Sequence, residues 1–148
     1  MVFHMSEMLG NQYFLSRKFC EAINELEETL RKYPTNKSAK KKLIICYVKT
    51  GKIFTALELF EELISEDVDF IINTDPILDD CPCPEIIYEI ENTVAYQDEK
   101  EKAVALGILW LYCDLDSSIN HFSLLATKDI RIEKIIRLLK TKTKQIQR

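Results

Sequence analysis

Residues 9–64 read LGNQYFLSRKFCEAINELEETLRKYPTNKSAKKKLIICYVKTGKIFTALELFEELI, and the spacing inside this stretch decides the fold. Leu9 and Leu43 stand 34 positions apart, as do Tyr13 and Tyr47, Ala22 and Ala56, Leu26 and Phe60, and Leu30 and Ile64. Around these pairs the apolar residues recur at helical intervals, which predicts four helices over 3–16, 18–32, 36–50 and 53–66. Pro34 stops the second helix and Gly51 the third.

Packing gives the offsets a physical meaning. Ala22 and Ala56 are small where two antiparallel helices of one unit approach most closely, and Tyr13 and Tyr47 fill the space beside them. Each helix pair leaves an apolar face that only the next pair can cover. The first unit, Leu9-Gly10, Tyr13, Phe19, Ala22, Leu26, Pro34, resembles the tetratricopeptide repeat, whose period is 34 residues. The second, Leu43, Tyr47, Gly51, Ala56, Phe60, departs from that pattern at Ile44, where a small residue is usual, and lacks the closing proline. The resemblance implies an all-α fold, an α-α superhelix of tetratricopeptide-type helical hairpins. It would hold two clear repeats over 1–66, a degenerate third and closing helices.

Beyond residue 66 the pattern weakens. Residues 67–83, DVDFIINTDPILDDCPC, read as an Asp-rich loop or insertion, because Pro76 and Pro82 break helices and five aspartates favour water. Pro84 opens a further helix with Ile86, Ile87, Ile90 and Val94 as its buried stripe. Asp98 or Glu99 precedes another, reaching about Leu115. Ala103 follows Ala56 by 47 positions, one repeat plus a 13-residue insertion, so this pair reads as the degenerate third unit. Gly107 then falls where the earlier units have Leu26 and Phe60, and Trp110 is expected to fill the gap. Ser117 and Ser118 are candidate caps for a short helix to Thr127. Asp129 is a candidate cap for the last helix, which buries Ile132, Ile135, Ile136 and Leu139. Residues 84–148 are expected to continue one domain with 1–66.

The chain has 148 residues, 47% of them apolar, enough for a continuous core. The net charge of −4 conceals three zones. Residues 1–52 carry ten Lys/Arg against five Asp/Glu, residues 53–127 two against seventeen, and residues 128–148 eight against two. An acidic middle argues against wrapping nucleic acid along the body. No stretch reaches the roughly 18 apolar residues of a spanning helix, and the first residues lack a signal-peptide pattern, so a cytoplasmic location is expected. The five cysteines, an odd number, fit reduced thiols better than a disulfide framework.

Catalytic chemistry finds little footing. His4 and His121 stand alone, Gly10, Gly51 and Gly107 are too far apart for a phosphate loop, and the paired acids Glu27/Glu28 and Glu61/Glu62 read as solvated helix faces. Cys81-Pro82-Cys83-Pro84 is the one oddity. Its spacing does not match the Cys-x-x-Cys knuckles of a zinc site, so a rigid entry into the next helix is the simpler reading, with a redox or metal role as the alternative. No catalytic residue, metal or cofactor is expected.

The tetratricopeptide resemblance implies a concave groove lined by the first helix of each unit. Carried onto this chain, the groove would present Glu7, Asn11 and Phe14, then Ser38, Lys41, Ile45 and Val48. Lys37, Lys40 and Lys42 would add a basic contact. The two-carboxylate clamp of family members that grip chaperone tails is not expected, since of its residues only Asn11 agrees. The function implied is non-catalytic protein–protein interaction, with a peptide or helical segment of a partner held in the groove. Alternatives are a cytosolic chaperone for secreted cargo and a scaffold that associates with itself as a homo-oligomer.

Overall fold

The computed structural model describes residues 5–93, 98–125 and 129–146, the last three by backbone only. The expectations placed on His4, Val94 and Thr127 lie outside the described residues. Among the described residues the regular structure is helical throughout, without a strand. The chain divides into two compact units, residues 1–63 and 64–148.

The first unit contains α1 (Met5–Leu15), α2 (Phe19–Lys32), α3 (Lys37–Lys49) and the larger part of α4 (Ile53–Asp67). Helix α1 packs on α2, and α2 on α3. Gly10 makes the first contact close: a Cβ there would lie 2.8 Å from Cδ2 of Leu26, which is fully buried. The 34-residue recurrence reappears in the backbone hydrogen bonds that end α1 and α3. The N–H of Lys18 donates to the carbonyl of Tyr13 and that of Lys52 to Tyr47, both at 2.8 Å. The N–H of Arg17 donates to Phe14 (3.0 Å) and that of Gly51 to Val48 (3.2 Å). Arg17 and Gly51 both take left-handed backbone angles, with φ of 61° and 84°. Each helix therefore closes with the same two-bond left-handed cap, and the next helix leaves at the same point of the repeat. The buried positions recur as well: Ala22 with Ala56, Ile23 with Leu57, Leu26 with Phe60 and Thr29 with Leu63. Thr29 satisfies its hydroxyl by donating to the Glu25 carbonyl at 2.9 Å.

The second unit contains the end of α4, then α5 (Asp69–Ile72), α6 (Cys83–Asn92), α7 (Glu99–Trp110), α8 (Leu115–Ser123) and α9 (Ile130–Ile146). Helix α7 packs on α6 and α8, and α8 on α9. Residues 103–109 are buried without interruption, so α7 has no solvent face there. Ile86, Ile87 and Ile90 of α6 are buried, as are Ile132, Ile135, Ile136 and Leu139 of α9.

Four local expectations change. The segment 67–83 is not a loop throughout: α4 continues to Asp67, and α5 follows with Val68 and Ile71 buried. Apolar residues at helical spacing outweigh the aspartates, which sit on the exposed side or build the next turn. There the Asp75 side chain accepts from the N–H groups of Ile77 (3.0 Å) and Leu78 (3.1 Å), and the Asp79 side chain from that of Asp75 (2.9 Å). Second, α8 is capped by Asp114, which accepts from the Ser117 N–H at 3.0 Å, whereas Ser118 is buried and donates to the Gly107 carbonyl at 2.6 Å. Third, the space over Gly107 is filled by Phe122, not Trp110. A Cβ at Gly107 would lie 2.8 Å from two ring carbons, and Trp110 stacks instead on His121, centroids 6.2 Å apart. Fourth, Cys81 and Cys83 are bonded to each other as a disulfide, while Cys20, Cys46 and Cys113 are free thiols.

Candidate partner-binding site

The expected groove residues fall into two groups. Glu7, Asn11, Ser38 and Lys41 remain partly accessible. Phe14, Ile45 and Val48 are closed off, at 3%, 2% and 0% exposure. The reason is visible along α3, where every residue from Leu43 to Val48 is buried. An uninterrupted apolar run on a helix is covered on all sides, so α3 offers a partner its polar beginning rather than an apolar stripe.

That beginning is held by side chains. Asn36 caps α3, its Oδ1 accepting from the Ala39 N–H at 3.0 Å, and its Nδ2 donates to Oε1 of Glu7 at 3.1 Å. One residue thus sets the start of α3 and ties it to α1. The basic cluster is not a uniform surface patch. Lys42 donates to the Ser38 hydroxyl at 3.1 Å. Lys40 is 3% exposed and reaches the Glu62 carboxylate of α4 at 3.6 Å, which takes it out of reach of a partner. Burying an ammonium is costly without such an opposite charge.

A second feature involves Glu27 and Glu62, which the sequence alone presents as parts of solvated helix faces. A cleft of about 580 Å³ opens among α2, α3 and α4, with Leu30, Tyr47 and Leu59 in its lining and Glu27, Glu58 and Glu62 converging on it. The Tyr47 hydroxyl donates to Oε2 of Glu27 at 3.1 Å. Burial, and then the charge of Glu27, push the Tyr47 phenol well above its ordinary value, so it stays a neutral donor. Arg31, also in the lining, is ion-paired to Glu28 at 2.6 Å. The available signal was the face shared by Asn24, Glu27 and Leu30 on α2, three residues apart. Which helix this face meets is a tertiary fact that a helical period does not contain.

In the second unit a cavity of about 640 Å³ is lined by Ala103, Leu106, His121 and Leu124 with Glu99 and Lys100 at its edge. His121 places Nδ1 2.8 Å from the Ser117 carbonyl, a structural contact within one helical turn. Cys81 and Cys83 lie at the start of α6, where the Cys83 N–H approaches Sγ of Cys81 at 3.4 Å. Among the described residues no group of three His, Cys, Asp or Glu is placed to hold a metal ion, and no helix is long and apolar enough to cross a membrane. Comparison with family models, with curated proteins and with solved structures gives no match for the chain.

Proposed function

We propose that the chain is a non-catalytic protein-interaction module whose residues 1–66 form two tetratricopeptide-type hairpins. The α-α superhelix that such hairpins build is part of the same proposal. The observation that supports it best is the shared cap geometry. Tyr13 and Tyr47, 34 residues apart, accept the same bond from Lys18 and Lys52 at the same 2.8 Å, so sequence period and backbone period coincide. Repeated hairpins of this kind are scaffolds whose use lies in the side chains they display. The polar face displayed by Glu7, Asn11, Ser38 and Lys41 suits an extended or helical peptide bound by hydrogen bonds and charge.

The test is capture from a lysate of source cells with wild-type chain and with Asn11→Ala/Lys41→Glu, after circular dichroism has matched their helix content. Both substitutions fall on partly accessible positions. The proposal expects a discrete protein retained by wild type and lost, by about tenfold or more, in the variant. Equal capture by both would move the binding face away from α1 and α3 and overturn the assignment.

A further inference from the structure

We propose that the acidic cleft among α2, α3 and α4 receives the exposed face of α9 from a second copy of the chain. This goes beyond the reading above and does not rest on it. The cleft couples an apolar lining, Leu30 and Leu59, both half-buried, to three carboxylates, Glu27, Glu58 and Glu62. Glu58 and Glu62 stand one turn apart on α4, so they project from one side of it. Lys40 occupies one side of Glu62, and Tyr47 donates to Glu27. A carboxylate offers several acceptor sites, so each of these contacts leaves Glu27 and Glu62 further capacity.

The chain carries a matching surface. Helix α9 buries Ile132, Ile135, Ile136 and Leu139 on one side. Its other side presents Ile130, Lys134, Arg137, Leu138 and Thr141 at spacings of four, three, one and three residues, a single stripe. Ile130 is 83% exposed and Leu138 half-buried, while Lys134 and Arg137 are exposed. Apolar and basic side chains thus share one stripe on α9, and apolar and acidic ones share the cleft, whose remaining charge, Arg31, is paired to Glu28. Two of the three carboxylates, Glu58 and Glu62, come from the zone 53–127, with seventeen acidic residues against two basic, and α9 lies in the zone 128–148, with eight basic against two acidic. Like charges across a contact repel, so Glu27, Glu58 and Glu62 favour cleft against α9 and disfavour cleft against cleft. The contact joins two different surfaces. It closes as a twofold dimer if each copy gives its α9 to the other, and extends as a chain otherwise.

Analytical ultracentrifugation of the full chain at rising concentration tests this, in about 50 mM and about 500 mM salt, which differ severalfold in screening length. The expected result is a mass above the monomer at low salt that falls toward the monomer at high salt. Glu58→Lys and Arg137→Glu should each weaken association by about tenfold or more. Mixed in equal amounts they should associate again, because the reversed cleft of one then faces the reversed helix of the other. A wild type that stays monomeric up to about 1 mM overturns the proposal. So do association indifferent to both variants, variants that do not complement each other, and a monomer that uses Glu58 to bind an unrelated basic peptide. The Asn11/Lys41 capture experiment reads a different face, so either proposal can fail without the other.

Discussion

At Gly107 the space for one methyl group is already taken. A Cβ there would lie 2.8 Å from two ring carbons of Phe122 and 2.9 Å from a third, and Phe122, fully buried, has no surface to retreat to. The close approach also brings the Ser118 hydroxyl to 2.6 Å from the Gly107 carbonyl, so shifting α8 away would lengthen a buried hydrogen bond. Alanine gains about 1 kcal/mol over glycine inside a helix, while overpacking of this kind costs about 1–3 kcal/mol. Gly107→Ala is therefore expected to lose about 1 kcal/mol net in urea denaturation. Phe122→Leu should recover part of that loss in the double variant, so the two changes add to less than their sum. A Gly107→Ala protein as stable as wild type would contradict the contact. The sequence marked Gly107 as a break in the repeat but pointed to Trp110 as its filler, because proximity along the helix was the only guide. The residue that fills the space comes from the next helix, and no period within α7 encodes it.

At the scale of elements, α3 begins where it does because of one side chain. Asn36 accepts from the Ala39 N–H and donates to Glu7, so removing it costs a cap and a tie between α1 and α3. Asn36→Ala is expected to destabilise the chain by about 1–2 kcal/mol. Asn36→Asp keeps the cap acceptor and gains from the helix dipole, but sets a carboxylate against Glu7. Asn36→Asp should therefore lie between wild type and Asn36→Ala, and Glu7→Gln should bring it closer to wild type. Chemical denaturation of the four proteins measures this, and an Asn36→Asp protein as unstable as Asn36→Ala would show that the cap contributes little. The first four helices were legible because each carries its own punctuation: α3 has Asn36 before it and Gly51 after it. The 67–83 segment was misread for the opposite reason. Of its aspartates, Asp69 lies on α5 and accepts from Lys142 at 3.1 Å, while Asp75 and Asp79 are hydrogen-bonding groups of the turn at 75–79, and composition does not separate the two uses. For the expected groove positions, the sequence tells which share a side of α3 but not which stay accessible. A helical wheel assigns Ser38, Lys41, Ile45 and Val48 to one side of α3, but whether that side is open depends on what the folded chain lays over it, and only its polar end is accessible.

Over the whole molecule, the five cysteines report different levels of the fold. Cys20 and Cys113 are exposed thiols, Cys46 is fully buried, and Cys81 and Cys83 are joined. Burial pushes the Cys46 thiol up to about 12, and at Cys113, exposed yet shielded on one side by the fold, desolvation followed by the neighbouring Asp114 raises the thiol. The thiolate is the reactive form, so a thiol reagent at neutral pH should label Cys20 first and Cys113 more slowly. Cys46 has neither access nor thiolate in the native chain and reacts only from an opened state. When closing is faster than labelling, its rate follows the opening equilibrium rather than the reagent's own chemistry. Labelling of Cys46 is thus expected to be at least about a hundredfold slower than that of Cys20, since even partial opening costs several kcal/mol in a stable domain. It should quicken in Asn36→Ala, whose missing cap lies on the same helix. Full denaturation without reductant should expose three thiols, and reduction should raise the count to five. Mass spectrometry of the labelled protein reads all of these numbers at once. Five reactive thiols in denaturant alone would mean that the Cys81–Cys83 bond is absent in solution, and Cys46 labelling as fast as Cys20 would mean that α3 is not closed on all sides.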